Sequence, residues 1–338
     1  MIELIKKLFP ICRSITGNGV RESLNIIKDY IPDLDVIEIP SGTQVYDWKI
    51  PKEWNIKDAY VADNQGNRII DFKLNNLHLV NYSIPVNCTM GWEELKKFIH
   101  TIPDKPDLIP YRTSYYNEHW GFCISHNNME EIEILDGITN NGSYHIVIDS
   151  SLTDGHLTYG ELYKPGKVKE EILLSSYICH PSMANDNLSG PALLAAIAKE
   201  LSTEDTYYSY RFLFIPETIG AITWLSMNEN KFDNIKGGLV ATCIGDKGIL
   251  QYKPSRQSNT MIDGIVQKVF DDANVKYKLR EFAPLGSDER QYCSPGINLP
   301  IGCLTRTPYG EFDEYHTSAD NLDFIDIESM DESFDVLT

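Results

Sequence analysis

The chain has 338 residues, 42% of them hydrophobic, which is enough for a large core and, by length, for two domains or one domain with a large insertion. Asp and Glu outnumber Lys and Arg by 49 to 30, and the formal net charge of −19 argues against non-specific nucleic-acid binding and against an anionic membrane surface as a partner. Ordinary solubility explains this charge equally well.

The start of the chain and its cysteines indicate a compartment. The segment MIELIKKLFPICRSITG lacks the sustained apolar stretch and the small-residue cleavage site of a secretory signal. No run approaches the roughly 20 apolar residues that a membrane span needs. The seven cysteines include no CxxC pair, which disfavours a thiolate zinc site and favours free thiols. We therefore expect a cytoplasmic protein without a membrane or nucleic-acid partner.

The first third of the chain combines helical and strand patterns. Residues 1–31 predict two helices separated at Thr16–Gly19. Residues 32–82 alternate short apolar runs with turn residues, which predicts strands. A helix at 92–101 and an irregular aromatic stretch follow. We therefore expect an inserted β-rich module at 40–125.

From about residue 126 the pattern becomes an alternation of strands and helices. The predicted strands are EIEILDG, YHIVIDSSL, EEILLSSYICH, YRFLFIPE, GGLVATCIG and INLPIGCLT, and the predicted helices are GPALLAAIAKEL, 219–228 and MIDGIVQKVFDDA. This alternation predicts an α/β domain at 1–39 and 126–338, with a sheet covered by helices on both faces. In such sheets ligands bind beyond the carboxyl ends of the strands, where the polar clusters of this sequence fall.

One polar cluster joins a predicted strand to a predicted helix. His180 and Asp186 stand in the loop HPSMANDNLSG and can point the same way. Imidazole and carboxylate are the usual ligands of a catalytic zinc that keeps an open position. The alternative is a capping loop, since Asp186 or Ser189 could cap the following helix.

Two carboxylates follow the next two predicted strands. Glu217 comes directly after the apolar run FLFI and is either a surface turn residue or an acid of the site. Beside a metal it would be a suitable general base. Asp246 lies in CIGDKG, where an ordinary tight turn is the simpler interpretation.

The last cluster contains Arg306 and His316. His316 is followed by small polar residues and belongs to no apolar stripe, so a buried core histidine is the weaker interpretation. Arg306 could bind a substrate carboxylate or phosphate, or could pair with Asp313 or Glu314. Because GxSxG, P-loop and GxGxxG motifs are absent from the sequence, metal-assisted hydrolysis is the best-supported chemistry.

The order of these clusters resembles the zinc-dependent aminopeptidases of the aminopeptidase Y and bacterial leucyl aminopeptidase type. ANDNLSG resembles their bridging-aspartate loop and marks Asp186, and PETIGAITWL resembles their Glu–Glu segment and marks Glu217 as the base. CIGD falls where a further aspartate is expected, SDERQY…GINLP resembles their "SDh..f…GiP" element, and EYHTSADNLDFID marks His316 as the last histidine. The resemblance implies a zinc-exopeptidase-like mixed sheet.

The whole chain also resembles the aminopeptidase-like proteins encoded in polysaccharide-biosynthesis gene clusters. The segments CRSITGNGVRESL, GTQVYDW, PKEW, NLHLVNYSIPV, IPYRTSYY and ICHPSMANDNLSG carry this likeness. Relatives in that group often continue into a C-terminal winged-helix module, which the printed sequence does not include.

The sequence departs from the aminopeptidase pattern in its metal ligands. Thr218 replaces the second glutamate, the usual His-x-Asp is reduced to His180-Pro-Ser, and Cys243 aligns with the further aspartate unless Asp246 takes its role. The resemblance therefore implies one zinc per chain, held by His180, Asp186 and His316, with Asp246 as a further candidate.

These observations predict a metal-dependent hydrolase of amide bonds, an aminopeptidase or amidase that acts on a small-molecule or peptide-like substrate. Sugar-linked amides are a candidate substrate class by gene-cluster analogy. The pocket residues are expected to be Asp288, Glu289, Arg306 and Tyr309. A binding or scaffold protein that keeps the peptidase fold is the alternative, and a homo-oligomer is compatible with either function.

The aromatic stretch TIPDKPDLIPYRTSYYNEHWGF holds three prolines and five aromatic residues, too many for a plain linker. Aromatic side chains cover apolar and sugar surfaces well. We expect Tyr111, Tyr115, Tyr116 and Trp120 to lean over the site.

Overall fold

The structure is a computed structural model that describes residues 1–139 and 142–338. Its strands are β1 Asp35–Pro40, β2 Gln44–Val45, β3 Trp48–Lys49, β4 Glu53–Ala62, β5 Arg68–Asp71, β6 Val86–Met90, β7 Ile99–His100, β8 Phe122–Cys123, β9 Tyr144–Thr153, β10 His156–Lys164, β11 Glu171–Tyr177, β12 Ser209–Ile215, β13 Ile235–Ala241, β14 Leu250–Lys253, β15 Tyr277–Leu279 and β16 Ile301–Thr305. Its α-helices are α1 Ile2–Leu8, α2 Asn18–Tyr30, α3 Trp92–Leu95, α4 His126–Thr139, α5 Ser189–Leu201, α6 Ile219–Met227, α7 Met261–Asp272, α8 Glu289–Tyr292 and α9 Ile327–Leu337.

The chain forms two compact units. Unit 1 comprises Met1–Ile50, His156–Tyr315 and Asp320–Thr338, and unit 2 comprises Pro51–Gly155 and His316–Ala319. Within the described ranges, no helix has both the length and the apolar character that crossing a membrane requires.

Unit 1 is built on a mixed sheet with the strand order β1-β10-β12-β11-β13-β16-β14-β15. Strands β12, β11, β13 and β16 run parallel to one another, whereas β1, β10 and β14 pair antiparallel with their neighbours β10, β12 and β16. The four parallel strands therefore end at the same edge of the sheet, and their following loops meet there.

Both faces of this sheet are buried. Along β12, Phe212 and Phe214 join a core with α1, α2, α5, α7 and α9, while Leu213 and Ile215 join a second core with α6 and α8. Burying each such side chain stabilises the fold by roughly 1.5–3 kcal/mol. The near-continuous apolar run FLFI follows from this arrangement, because a strand covered on both faces has no solvent-facing side.

Helix α5 begins at the end of the loop that carries His180 and Asp186. A Cβ on Gly190 would lie 2.3 Å from Oγ of Ser176 and 2.4 Å from the carbonyl oxygen of Ala241, so only glycine permits this close approach. The start of α5, and with it the end of the loop, is thereby fixed against β11 and β13.

Unit 2 contains an antiparallel sheet with the strand order β5-β4-β9-β6 and a short parallel pair of β7 with β8. Trp54, Val61, Ile146 and Ile148 are buried on this sheet. The segment at 316–319 joins this unit through a β-bridge between Pro110 and Thr317.

The structure confirms the mixed α/β fold and most of the predicted elements of unit 1. The prediction of a strand at EIEILDG is wrong, because these residues lie in α4. Alternating Ile and Glu imitate the period of a strand, but the helix buries Ile132 and exposes Ile134 and Ile138. The helix predicted at 92–101 is also too long, since α3 ends at Leu95 and a 3₁₀ turn and β7 follow.

The predicted limits of the inserted module, 40 and 125, differ from the limits of unit 2. Val45 and Ile50 belong to a core of unit 1, so the chain leaves that unit only after Ile50. At the other end, β9 pairs with both β4 and β6, which places the chain up to Gly155 in unit 2.

Candidate metal centre

The residues singled out by the sequence follow the parallel strands of unit 1. His180 and Asp186 come after β11, Glu217 after β12, Asp246 after β13 and Arg306 after β16. Because these strands are parallel, all five residues leave the sheet at its carboxyl edge, as the sequence predicted.

Three of the predicted metal ligands form one group of possible metal-binding atoms. One ligand atom each from His180, Asp186 and His316 lies within 4.8 Å of the other two. His180 and Asp186 are buried, with 7% and 1% of their surfaces exposed. Two imidazoles and a carboxylate are ligands that suit a zinc ion with an open coordination position.

His180 has a neighbouring side chain at each ring nitrogen and is held through its backbone. Its Nδ1 lies 3.6 Å from Sγ of Cys179, and its Nε2 lies 3.9 Å from Oε2 of Glu217. The buried Arg13 donates from Nε to the carbonyl oxygen of His180 at 3.0 Å. Burial lowers the pKa of Arg13 to about 10, so the guanidinium remains charged at neutral pH.

Asp186 is oriented by a hydrogen-bonded chain beneath the loop. The hydroxyl of Tyr177 donates to Oδ1 of Asp186 and accepts from Oγ1 of Thr242 at 2.7 Å. Burial and the neighbouring Asp186 raise the pKa of Tyr177 well above its usual range, so the phenol keeps its proton and remains a donor.

The backbone of the same loop is bound by a buried carboxylate. Asp320 accepts the backbone N–H groups of Ala184 at 3.1 Å, Asn185 at 2.6 Å and Asp186 at 2.8 Å. Burial raises the pKa of Asp320 to about 8, although these three donors act in the opposite direction. Asp320 thus fixes the loop on which Asp186 stands.

His316 is fixed by contacts within unit 2. Its carbonyl oxygen accepts the N–H of Tyr111 at 2.8 Å, and the two rings meet edge to face with their centroids 5.0 Å apart. Trp120 stacks instead on Phe98 at 4.0 Å. Of the four predicted aromatic residues, Tyr111 therefore contacts a predicted ligand, whereas Tyr115 and Tyr116 are exposed.

Glu217 precedes a strained turn. The N–H of Ile219 donates to the carbonyl oxygen of Glu217 at 2.7 Å, and Thr218 between them has φ 63° and ψ −70°. This γ-turn of positive φ is rare and costly for a β-branched residue. The N–H of Thr218 donates to Oδ1 of Asp288 at 2.7 Å, and Arg290 donates to the Thr218 hydroxyl at 3.0 Å. These contacts hold the turn that aims Glu217.

The carboxylates around Glu217 change its acidity. Burial, then Asp288 and Asp186, raise the pKa of Glu217 well above its usual range. Burial also raises the pKa of Asp288 to about 7, and its Oδ2 has no hydrogen-bond partner within the described ranges. Glu217 keeps 28% of its side chain exposed and is therefore within reach of a water molecule or substrate.

Asp246 lies outside the group of metal-binding atoms. Its Oδ1 accepts from the N–H of Gly248 and the hydroxyl of Thr307, and its Oδ2 accepts from the N–H of Thr307 and the side chain of Asn185. These hydrogen bonds link the loop after β13 to the loops after β11 and β16, and they occupy both oxygens of the buried carboxylate.

The predicted pocket residue Arg306 has its guanidinium engaged within unit 1. Its guanidinium is buried and donates to Ser333, to the carbonyl oxygen of Gly248 at 2.7 Å and to Glu332 at 2.7 Å. Neither Asp313 nor Glu314, the partners considered from the sequence, is among these acceptors. Arg306 thus ties helix α9 to the loop after β13.

The remaining predicted pocket residues differ in their exposure to solvent. Asp288 and Glu289 are fully buried, and Glu289 pairs with Lys253. Lys253 donates to the hydroxyl of Tyr309 at 3.2 Å, and that side chain is partly exposed. Tyr309 can therefore contact a ligand, while the two acids support the structure behind it.

Sequence reasoning missed the supporting residues of the site, namely Arg13, Tyr177, Cys179, Thr242, Lys253 and Asp320. Tyr177, Cys179 and Thr242 could have been suspected from their positions beside strand ends. The roles of Arg13 and Asp320 depend on contacts across 167 and 134 positions of sequence, for which no local pattern exists.

The mixed sheet and the loops at its carboxyl edge define an aminopeptidase-like α/β fold of the zinc-exopeptidase class. The chain is similar in structure to a zinc aminopeptidase from Bacillus subtilis, with a TM-score of 0.69 and 13% identity over 99% of this chain and 92% of that one. A peptidase M28 precursor from Shewanella amazonensis gives a TM-score of 0.66 at 11% identity, over 99% and 90% of the two chains. At these identities the likeness concerns the fold alone.

The chain belongs to the family described as domain of unknown function DUF4910, whose profile matches residues 2–338. It is 57% identical over 331 residues to a Clostridium acetobutylicum protein named as a polysaccharide biosynthesis protein with an aminopeptidase-like domain, covering 98% of this chain and 74% of the relative. A crystal structure from the same organism, named for a peptidase, gives a TM-score of 0.95 at 56% identity over 99% and 78% of the two chains.

Proposed function

We propose that this protein is a zinc-dependent hydrolase of amide bonds, with one zinc ion held by His180, Asp186 and His316. The observation that carries this proposal is the convergence of ligand atoms from these three residues within 4.8 Å. Residues that stand 136 positions apart in sequence supply a donor set that a catalytic zinc site uses.

The donor set fits zinc in its chemistry as well as its spacing. Two imidazoles and one carboxylate together carry a single negative charge, which is less than the charge of a zinc dication. Further carboxylates lie nearby at Glu217 and Asp288. Zinc at such a site supplies Lewis acidity and lowers the pKa of water. The hydroxyl of Thr218 accepts from Arg290 and its N–H donates to Asp288, so Thr218 does not replace the second glutamate of two-metal aminopeptidases.

Glu217 is the general base in this proposal. It is partly exposed, its carboxylate faces Nε2 of His180, and the strained turn at Thr218 limits its freedom. Burial and the neighbouring carboxylates Asp288 and Asp186 raise the pKa of Glu217, which makes its carboxylate a stronger base. Glu217 would take a proton from water as the amide carbon is attacked and deliver it to the leaving amine.

We infer the substrate class from the name of a relative and from Tyr309, a partly exposed aromatic residue that the sequence predicts for the pocket. The Clostridium relative is named for polysaccharide biosynthesis. Tyr309 offers a surface that suits a sugar ring or an apolar side chain. We infer that the substrate is a peptide-like or sugar-linked amide.

Metal content tests the proposal directly. Protein purified without a histidine tag should contain about one zinc per chain by elemental analysis, and His180→Ala and His316→Ala should each lose it. His156→Ala is the matched control, because this histidine is partly exposed in β10 and lies near Glu38. Each sample is then assayed on aminoacyl anilides and on sugar-linked amides.

The outcomes separate three conclusions. Zinc together with amide cleavage that both ligand variants abolish supports the hydrolase. Zinc without turnover on any amide would favour a binding or scaffold protein that has kept the peptidase fold. Protein that neither contains zinc nor takes it up would overturn the metal site itself.

A further inference from the structure

We infer that Cys179 is a positioning residue that sets the tautomer of His180 and connects this ligand to Glu217. The inference rests on the proposed zinc site and adds to it a residue that contacts neither substrate nor metal in that proposal. It is drawn from two contacts of a single buried sulfur atom.

The first contact involves the ring nitrogen of His180 that does not face Glu217. Sγ of Cys179 lies 3.6 Å from Nδ1 of His180, within hydrogen-bonding range for sulfur. Nε2, on the other side of the ring, lies 3.9 Å from Oε2 of Glu217. A neutral imidazole carries one proton, so a proton on Nδ1 leaves the lone pair on Nε2.

The second contact shows that the sulfur acts as an acceptor. The backbone N–H of Glu217 donates to the same sulfur at 3.3 Å. Cys179 is 4% exposed, so its sulfur is satisfied by neighbouring protein groups, and we place an Nδ1–H of His180 as its second donor. With sulfur as acceptor, Nδ1 carries the proton and Nε2 is available as a ligand atom.

The opposite arrangement would disable the ligand. If the thiol donated to Nδ1, the proton of the ring would stand on Nε2 and point toward Glu217. That tautomer cannot bind a metal through Nε2. Metal-binding histidines usually donate their second N–H to a carboxylate or a carbonyl oxygen, and a thiol sulfur takes this place here.

The experiment reads the tautomer in metal-free protein. Histidine labelled with ¹⁵N distinguishes Nδ1–H from Nε2–H rings by NMR, and His180 is assigned by comparison with His180→Ala. We expect Nδ1–H in the parent protein and a rise of the Nε2–H form in Cys179→Ala. Cys179→Ser should restore Nδ1–H in part, because a hydroxyl oxygen is also an acceptor.

Zinc affinity provides the second measurement. Loss of an outer partner of a ligand typically weakens metal binding by about 10- to 100-fold, and we expect an effect in that range for Cys179→Ala. Cys293→Ala is the matched control, since that buried thiol donates to the carbonyl oxygens of Leu299 and Ile301. It should leave both the tautomer and the zinc affinity unchanged.

An Nε2–H ring in the parent protein would overturn the inference, and so would equal effects of Cys179→Ala and Cys293→Ala. A parent protein with the Nδ1–H ring but no affinity for zinc would overturn the proposed function instead. Because the tautomer of His180 is measured without metal, it tests the role of Cys179 independently of zinc binding.

Discussion

Glu217 has two chemical roles open to it, and its surroundings favour one. The resembled aminopeptidases use the first glutamate of a pair as base and the second as ligand, and here Thr218 occupies the second position. The structure places Glu217 beside His180 but outside the group formed by His180, Asp186 and His316. A carboxylate next to a metal ligand, rather than among the ligands, is suited to proton transfer.

The substitution Glu217→Gln distinguishes a base from a ligand. Glutamine keeps the shape of the side chain and removes its basicity, so zinc content should stay at the parental level while turnover falls roughly a hundredfold or more. Zinc is measured by elemental analysis and turnover on the best amide found. Glu200→Gln, an exposed position on α5, serves as the control. Loss of zinc in Glu217→Gln would make this residue a ligand, and unchanged turnover would exclude both roles.

Single residues were predictable from sequence where chemistry and position agreed. His180, Asp186 and Glu217 are polar residues in the loops that follow apolar strands, and the structure brings all three to the same edge of the sheet. Arg306 satisfied the same rule, yet its guanidinium is occupied by α9 and by Gly248. The position of a residue after a strand shows at which edge of the sheet its backbone lies. It does not show which buried acceptors a long side chain reaches.

At the scale of elements, the loop after β11 is held at both ends. Arg13 donates to the carbonyl oxygen of His180 at 3.0 Å, and the hydroxyl of Ser182 donates to the carbonyl oxygen of Phe9 at 2.9 Å. Asp320 binds three N–H groups at the other end. The segment between α1 and α2 thus fixes His180, and a buried carboxylate fixes the backbone of Asp186.

This arrangement predicts a local effect of Arg13→Met. Without the guanidinium, amide hydrogens of residues 178–186 should exchange faster in metal-free protein, because the loop loses its anchor at His180. Zinc affinity should fall by about tenfold. Exchange is followed by mass spectrometry and affinity by competition with a chelator.

Leu24→Ala is the control for this prediction. Leu24 is fully buried on α2, and its truncation should destabilise the fold by about 2–5 kcal/mol without removing a contact to His180. Its effect on exchange should be spread over the protein. An equal and local effect in both variants would show that Arg13 acts only through general stability.

Helices and strands were predicted best where a long hydrophobic pattern agreed with the amino-acid composition. The helices of unit 1 at 189–201, 219–227 and 261–272 closely match the predicted ones, because burial and composition agree there. Helix α4 was mistaken for a strand, since much of its apolar surface is exposed and gives no helical stripe. The short strands β14 and β15 are not predicted, because three or four residues carry too little periodicity.

At the scale of the whole molecule, the α/β class was predictable and the division of the chain was less so. Strands covered on both faces produce apolar runs that can be seen locally. The limits of unit 2, in contrast, depend on pairing between β4 and β9, which lie about 90 positions apart. Only the pairing of distant segments shows that Tyr144–Thr153 belongs with the β-rich unit.

The surroundings of His316 within unit 2 depend on the same long-range organisation. His316 lies in a segment of four residues that joins unit 2, where the ring of Tyr111 packs edge to face against its imidazole. Aromatic pairs of this geometry contribute roughly 0.5–1.5 kcal/mol beyond their buried area. If His316 binds zinc, this contact should strengthen the binding by limiting the rotation of the ring.

Tyr111→Leu should therefore weaken zinc binding by roughly two- to tenfold, the affinity change that corresponds to one aromatic pair. Tyr111→Phe keeps the ring and should bind zinc as the parent protein does. Tyr116→Leu is the control at an exposed aromatic position of the same segment. Affinities are compared by chelator competition at matched thermal stability. Parental affinity in Tyr111→Leu would reduce this tyrosine to a packing residue, and a loss equal to that of Tyr116→Leu would mean that the ring contact with His316 carries none of the effect.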